Sequence, residues 1–149
     1  MDNQLFTDRI IRPAQQIDYA FGSRTVRSLT GKTLGEMRAM RRPSDRPLLA
    51  DISARLNGFL YVFGAAQEAY GRGDEAKRWF DLPWDDNRTA LGALLAEQSQ
   101  EQYLELVRQM EDNLREAAKA NLTKKWERAD GLNYLIRRIL YRISDSSSR

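Results

Sequence analysis

Apolar residues recur at helical spacing along almost the whole chain, and no stretch alternates as a half-buried strand does. The broadest apolar face follows Pro47 and carries Leu49, Ile52, Leu56, Phe59, Leu60, Phe63 and Ala66. Gly31, Gly71 and Pro83 interrupt the helical pattern at short intervals, so helices adjacent in sequence are expected to be antiparallel neighbours. The sequence therefore predicts an all-α protein, a compact bundle of about six helices.

A single helical domain is predicted over residues 1–149, because a chain of 149 residues can bury one hydrophobic core. Residues 144–149 are polar and are expected to form a disordered tail. The longest apolar runs fall far short of the roughly 20 residues that span a bilayer, and the N-terminal residues lack the pattern of a secretory signal. We therefore expect a cytoplasmic protein without a membrane partner.

The chain has no histidine and no cysteine. It therefore lacks the commonest general base near neutral pH, the Ser–His and Cys–His nucleophile arrangements, and any cysteine-based metal site. The carboxylate pair Asp85-Asp86 precedes a predicted helix start, where capping is the better interpretation. Gly31-Lys32-Thr33 matches the end of a phosphate-binding P-loop, but Val26 occupies the position of the required first glycine. We predict no enzyme, no cofactor, no metal ion and no small-molecule substrate.

The net charge of +3 conceals a strong segregation of charge. Residues 23–46 carry seven Lys/Arg against two Asp/Glu, residues 81–116 carry three against nine, and residues 119–142 carry seven against two. The basic parts of such a surface can bind a polyanion. The acidic part is either a solvated helix face or a contact for the basic part of a neighbouring copy, which would give a head-to-tail stack.

Four arginines lie within nine residues of the first basic stretch: Arg38, Arg41, Arg42 and Arg46. Pro43 and Pro47 prevent a regular helix through this connector. Arginine binds phosphate with two hydrogen bonds, and a loop stiffened by proline loses less entropy on binding. The sequence leaves two interpretations open, a phosphate contact or a solvated loop whose arginines pair with nearby acids.

The last predicted helix carries basic and aromatic residues in two ridges. One ridge holds Tyr134, Arg138 and Arg142, and the other holds Arg137 and Tyr141. Such a surface can contact sugar-phosphate and stack on exposed bases, although half-buried tyrosines beside solvated arginines would give the same pattern. Lys124 and Lys125 extend the basic face. We predict Trp79, Trp84 and Trp126 as core anchors.

Three stretches occur in the same order as in one protein family, whose length and helical class this chain shares. They are Leu56-Asn57-Gly58-Phe59-Leu60, Gln102-Tyr103-Leu104-Glu105-Leu106-Val107-Arg108, and Leu132-Asn133-Tyr134-Leu135-Ile136-Arg137-Arg138. The first resembles the central Asn-Gly-Leu helix, and the last the closing aromatic-basic helix, of the Cmr small subunit. That family is the small helical subunit of type III-B CRISPR effector complexes. The same stretches also resemble the small subunits of other CRISPR effector complexes.

This resemblance implies a non-enzymatic subunit that serves antiviral defence. Such subunits stack with copies of themselves along the effector filament, contact its other subunits, and help to hold the guide RNA–target duplex. Arg137 and Arg138 match the basic pair of the family by position. The contacts would follow phosphate geometry rather than base sequence, so binding would weaken with salt.

A second resemblance involves residues 68–83. Asp74-Glu75-Ala76-Lys77-Arg78-Trp79-Phe80-Asp81-Leu82-Pro83 is similar to the Ala–Trp–Leu–Pro stretch of Xre/ParS-like antitoxins, which bind and neutralise a toxin. Residues 84–88 stand where that domain has a Gly-rich, Pro-containing segment. A helical protein–protein adaptor with no nucleic-acid role is the third interpretation.

Overall fold

A computed structural model describes the backbone of residues 2–147 and the side chains of residues 2–142. Within that range the regular elements are helical, and the one β-type pairing is an isolated bridge between Pro83 and Thr89. The helices are α1 (Asn3–Phe6), α2 (Arg12–Phe21), α3 (Ser23–Thr30), α4 (Leu34–Ala39), α5 (Arg46–Tyr70), α6 (Asp74–Trp79), α7 (Ala90–Ala96) and α8 (Gln100–Ser147). The predicted all-α class is confirmed.

Two short helical segments of other types complete the chain path. A π-helical turn, Thr7–Ile11, joins α1 to α2, and a 3₁₀ turn, Pro43–Asp45, precedes α5. Asp45 directly precedes α5, but it has a helical backbone conformation and makes no capping bond to that helix. Its carboxylate instead accepts a hydrogen bond from the Arg42 backbone N–H at 3.1 Å, which closes the 3₁₀ turn.

Helix α5 is the centre of the bundle, as its broad apolar face predicts. Leu49, Ile52, Leu56 and Phe59 are all buried, in agreement with the helical periodicity of the sequence. The Phe59 ring stacks on Phe80 at a centroid distance of 5.2 Å. An aromatic cluster thereby fixes the short helix α6 against α5, since Phe21 of α2 also meets both rings edge-on.

Helices α5 and α8 run parallel, and they pack closely where α5 has a glycine at the contact. A Cβ added at Gly58 would lie 3.3 Å from both Tyr103 Cε1 and Val107 Cγ2, so the glycine lets the two helices approach. The buried Tyr103 hydroxyl donates to the Arg55 carbonyl at 2.8 Å, and burial raises the pKa of this tyrosine. The Asn57 amide donates to the Ser53 carbonyl at 2.8 Å. The Asn-Gly pair therefore has a packing role in this chain.

Helix α8 is one continuous helix of 48 residues, and it includes the stretch that the sequence predicts as a separate last helix. No proline interrupts residues 100–147, and Ala117, Ala118 and Ala120 favour helix through the expected break. Gly131 alone is too weak a signal to end a helix. The backbone is helical to Ser147, and Ser148 and Arg149 lie outside the described residues, so the predicted disordered tail at 144–149 stays a prediction.

The two parts of α8 have different surroundings. Its first part, residues 100–118, packs on α5 through Tyr103, Val107, Met110 and Leu114; we call it the packed half. The amide of Asn121 donates to the Ala69 carbonyl at 2.9 Å near the end of α5. Beyond this point residues 121–142 are all exposed, and we call them the projecting arm. At 1.5 Å per residue the arm is about 33 Å long, so the fold is a bundle with a projection.

The prediction that all three tryptophans are core anchors is wrong for one of them. Trp79 is buried and Trp84 is half-buried against the core, but the Trp126 side chain on the arm is 65% exposed. The prediction followed from the residue type, because large aromatic side chains are usually buried, but residues 121–142 are all exposed. None of the helices within residues 2–147 combines the length and apolarity needed to cross a membrane.

Candidate nucleic-acid interface

The connector arginines surround a small cleft beside the first helix. Arg41, Arg42 and Arg46 line it together with Asn3 and Phe6, and its volume is about 240 Å³. Three exposed guanidinium groups around one cleft can bind an anion with hydrogen bonds as well as charge. The structure therefore brings three of the four predicted connector arginines together.

Arg41 also holds the connector in place. Its Nη1 donates to Asn3 Oδ1 at 2.7 Å, and its guanidinium carbon lies 4.6 Å from the centre of the Phe6 ring. Its Nε donates to the Arg38 carbonyl at 3.2 Å. Within residues 2–142, none of the four connector arginines forms an ion pair with a carboxylate. This geometry does not match the interpretation in which they pair with nearby acids.

The projecting arm presents the second set of predicted residues. Its predicted basic residues are all exposed: Lys124, Lys125, Arg137, Arg138 and Arg142. Within residues 2–142 none of them pairs with a carboxylate. Arginines of the packed half are paired, as Arg108 bonds to Glu105 and Arg115 lies 3.4 Å from Glu111. The arm cations are therefore available to an external anion.

The arm has two chemically different sides. At about 100° of rotation per residue, Leu132 lies on the same side as Leu114, which precedes it by five helical turns. Arg138 and Tyr134 fall on the opposite side, where the Tyr134 ring is 64% exposed. Arg137 and Tyr141 also lie away from Leu132, whereas Arg142 lies within about 20° of Leu135, at the edge of the apolar side. This arrangement leaves both sides accessible at once.

The two basic sets do not form one surface on a single chain. The connector adjoins Asn3 and the beginning of α5, whereas the arm leaves the bundle where α5 ends, near Ala69. Helix α5 has 25 residues, so about 37 Å separates its two ends. One chain therefore presents two separate basic surfaces, and a polyanion must be extended to contact both.

The carboxylate pair and the Gly-Lys-Thr stretch have structural roles. Asp85 Oδ1 accepts from the Asn87 N–H at 3.0 Å, and Asp85 Oδ2 accepts from Arg88 Nη2 at 2.8 Å. The Arg88 side chain accordingly lowers the pKa of Asp85. Thr33 caps α4, since its Oγ1 accepts from the Glu36 N–H at 3.1 Å while its own N–H donates to the Glu36 carboxylate. That hydrogen bond lowers the pKa of Glu36.

Sequence reasoning missed Arg55, which connects α5 to the link between α7 and α8. Its guanidinium donates to the carbonyls of Glu97 at 2.8 Å and Gln98 at 2.6 Å. It also lies 4.9 Å from the centre of the Tyr103 ring. Nothing in the local sequence distinguishes Arg55 from a surface arginine, because its partners lie more than forty positions away in the chain.

Among the side chains of residues 2–142, no group of three or more acidic residues is arranged to hold a metal ion. No protein-family model, curated protein or solved structure matches this chain. The residues themselves therefore carry the functional argument.

Proposed function

We propose that this chain is a non-enzymatic, RNA-binding small subunit of a CRISPR RNA-guided effector complex. It holds the guide RNA–target duplex through phosphate contacts, beside other subunits of the complex and copies of itself. The observation that supports this proposal most directly is the exposed, unpaired set of cations on the projecting arm. Residues 56–60, 102–108 and 132–138 resemble the Cmr small subunit, and this resemblance is the basis for proposing that the chain belongs to such a complex.

The arm suits phosphate recognition rather than base reading. An exposed helix with cations along its length can contact the phosphates of a duplex, and phosphate contacts carry no sequence information. Tyr134 and Tyr141 beside the arginines can stack on bases at a strand end. The connector cleft, lined by Arg41, Arg42 and Arg46, offers a second phosphate contact about 37 Å from the base of the arm. A duplex long enough to reach both sites would contact the arm and the connector cleft together.

RNA-duplex binding measured by fluorescence anisotropy across a salt series tests the proposal. Wild type should show a steep loss of affinity with salt, because bound phosphates release counterions. The Arg137→Glu/Arg138→Glu variant should weaken binding and flatten the slope by about one unit for each lost contact. Arg41→Glu/Arg42→Glu should do the same if the connector takes part, with circular dichroism confirming that the bundle is intact.

The matched control is Arg108→Glu/Arg115→Glu, which makes the same change in net charge on the packed half. Those arginines are already paired with carboxylates, so the salt slope should stay near that of wild type. Equal losses of RNA affinity in the arm variant and in this control would show that the effect comes from net charge alone. Absence of binding at low salt would contradict RNA recognition by the free chain.

The second candidate is the Xre/ParS-like antitoxin, which rests on the resemblance of residues 68–83, whereas residues 84–88 depart from that domain. The resembling stretch ends in a closed turn in which the Trp84 N–H donates to the Arg88 carbonyl at 2.9 Å and Asp85 bridges to Arg88. The Leu91 N–H donates to the Phe80 carbonyl at 2.9 Å, which fixes α7 against α6. Asp85 thus builds a compact turn where the antitoxin domain has glycine and proline.

Co-expression with a small toxin encoded beside the gene separates the two candidates. An antitoxin forms a tight complex with that toxin and restores growth, whereas an RNA-holding subunit does neither. Leu82 is half-exposed beside the closed turn, so Leu82→Glu should abolish rescue if this unit contacts the toxin. Restored growth without RNA binding would favour the antitoxin. If the chain neither restores growth nor binds RNA, the protein–protein adaptor is the favoured interpretation.

A further inference from the structure

The connector cleft has the size and the surroundings of a site for one small anionic group. Its volume of about 240 Å³ lies just below the range of about 300–1,000 Å³ that is typical of pockets for drug-sized ligands. Phe6, Met40 and Leu49 line it and are buried in the core, so one wall of the cleft is apolar. Charge interactions beside an apolar wall are screened less than on an open surface. The cleft therefore fits a compact charged group rather than a length of duplex.

The charge of the cleft is positive, and no carboxylate lines it among the residues that the structure describes. Arg41, Arg42 and Arg46 surround it together with the Asn3 amide. Within residues 2–142 none of the three arginines forms an ion pair. Asp45 is the neighbouring acidic residue in the sequence, and its carboxylate accepts a hydrogen bond from the Arg42 backbone N–H at 3.1 Å. Three guanidinium groups therefore remain for an anion from outside the chain.

Arg41 is held in a defined position beside the cleft. Its Nη1 donates to Asn3 Oδ1 at 2.7 Å, its Nε donates to the Arg38 carbonyl at 3.2 Å, and its guanidinium carbon lies 4.6 Å from the centre of the Phe6 ring. These bonds use two of the five N–H groups of a guanidinium, so three remain for a ligand. The 3₁₀ turn Pro43–Asp45 fixes the adjacent backbone. Because Arg41 and this turn are ordered before a ligand arrives, binding loses less entropy.

The number of guanidinium groups distinguishes between two kinds of phosphate. A phosphodiester inside a strand carries one negative charge and two free oxygens. A phosphate monoester carries a charge of about −1.5 to −2 at pH 7 and three free oxygens. Each arginine can donate two parallel hydrogen bonds to phosphate oxygens. Three arginines around one cleft therefore match the larger charge and the third oxygen of the monoester.

We propose that the connector cleft binds a phosphate monoester through Arg41, Arg42 and Arg46. The monoester belongs either to the end of an RNA strand or to a free mononucleotide. For the first source the inference rests on the proposed function, in which the arm contacts the side of an RNA duplex while the cleft contacts a strand end. The arm and the connector then recognise different parts of one RNA.

Two RNA duplexes of the same sequence, one with 5′-phosphate ends and one with 5′-hydroxyl ends, test the proposal by fluorescence anisotropy. Wild type should bind the 5′-phosphate duplex about tenfold more tightly, because the cleft adds charge-assisted hydrogen bonds. Arg42→Gln/Arg46→Gln should bind both duplexes equally. Neither side chain forms an ion pair within residues 2–142, so the variant should keep the circular dichroism of wild type. Equal affinities of wild type for the two duplexes would overturn the proposal and would leave RNA binding by the arm intact.

The matched control is Arg137→Gln/Arg138→Gln, which makes the same change in net charge on the arm. This variant should weaken the binding of both duplexes by the same factor, so that the preference for the 5′-phosphate stays that of wild type. A preference that falls equally in the arm variant and in the connector variant would overturn the assignment to the cleft. Absence of binding to either duplex would contradict the proposed function, and a mononucleotide then tests the cleft by itself.

Isothermal titration calorimetry with adenosine 5′-monophosphate and with adenosine distinguishes the two sources of the monoester. Wild type should bind the mononucleotide and not the nucleoside, and Arg42→Gln/Arg46→Gln should bind neither. An affinity for the mononucleotide well below that for the 5′-phosphate duplex assigns the cleft to an RNA end, whereas equal affinities assign it to a free mononucleotide. If the mononucleotide does not bind and the duplexes bind equally or not at all, the proposal is overturned.

The pH dependence of the preference identifies the charged form of the ligand. The second pKa of a phosphate monoester is about 6, so the dianion fraction rises about fourfold between pH 5.5 and pH 7. Histidine is the side chain that ordinarily titrates in this range, and the chain has none; the charged groups at the cleft are its three arginines and, in the adjacent turn, Asp45. Affinity for the 5′-phosphate duplex should therefore rise by up to about fourfold over this range, while affinity for the 5′-hydroxyl duplex stays constant. A preference of equal size at both pH values would overturn the assignment to a monoester.

Discussion

The packed half and the projecting arm belong to the same helix but have opposite surroundings. In the packed half, Tyr103 and Leu114 are buried and Arg108 is paired with Glu105. In the arm, Leu132 is 59% exposed and Arg138 is unpaired within the described residues. The apolar periodicity of the packed half resumes in the arm at Leu132. Periodicity therefore defines which side of a helix is apolar, whereas tertiary structure decides what covers it.

The largest expected difference comes from truncating equivalent leucines in the two halves. Leu114→Ala should lower the free energy of unfolding by about 2–5 kcal/mol, because it removes a fully buried side chain and leaves a cavity. Leu132→Ala, five turns further on, should change bundle stability by less than about 0.5 kcal/mol. Urea denaturation of dilute protein measures both. Similar losses would mean that the arm folds back on the bundle.

Arginine truncation should give the next largest difference. Arg55→Ala removes three hydrogen bonds from a guanidinium group, so we expect a loss of about 1.5–3 kcal/mol. Arg138→Ala removes an exposed side chain with no such partners and should leave the free energy of unfolding unchanged. The same urea experiments compare them. An Arg55→Ala protein as stable as wild type would show that water replaces these contacts.

The glycines of the two regions should respond with opposite signs. Gly58→Ala places a methyl group 3.3 Å from Tyr103 and Val107, and overpacking of this kind costs about 1–3 kcal/mol, offset in part by helix propensity. Gly131→Ala meets open space on the arm and should stabilise its helix locally by up to about 1 kcal/mol. Urea denaturation tests the first variant, and amide hydrogen exchange along the arm tests the second. Faster exchange in Gly131→Ala would contradict this picture.

The smallest effect concerns the exposed ion pair of the packed half. Hydrogen bonding to Arg108 lowers the pKa of Glu105, so the pair stabilises the helix above the ordinary glutamate pKa and loses this effect as pH falls through the lowered value. Glu105→Gln should therefore shift the urea midpoint slightly at neutral pH and not at all in strong acid. Gln substitution at Glu127 of the arm is the control. A Glu105→Gln effect that persists in acid would exclude the charge as its cause.

Local sequence information predicts the helical class and the core of α5 well. Leu49, Ile52, Leu56 and Phe59 repeat with helical spacing, and burial follows that spacing. Ser99 and Gln102 predict the start of α8, where the Gln102 N–H donates to Ser99 Oγ at 3.3 Å. Such features depend on residues within one or two helical turns. The sequence alone therefore contains enough to identify them.

Features that depend on distant contacts could not be predicted. Trp126 is of a residue type that is usually buried, but its exposure depends on α5 ending at Tyr70. Exposure of the arginines Arg137 and Arg138 agrees with the sequence-based prediction. The distance of about 37 Å between the connector and the base of the arm depends on the length of α5. The role of Arg55 likewise depends on carbonyls far along the chain.

The continuity of α8 sets a fixed distance between the bundle and anything that the arm holds. In a helix without a break each residue adds a fixed rise and rotation. Inserting four residues near Ala120 would therefore move the tip of the arm by about 6 Å and rotate it by about 40°. Inserting seven residues would move it by about 10 Å with little rotation. A partner that contacts both the arm and the bundle would tolerate neither change in spacing, whereas one held by the arm alone would tolerate both.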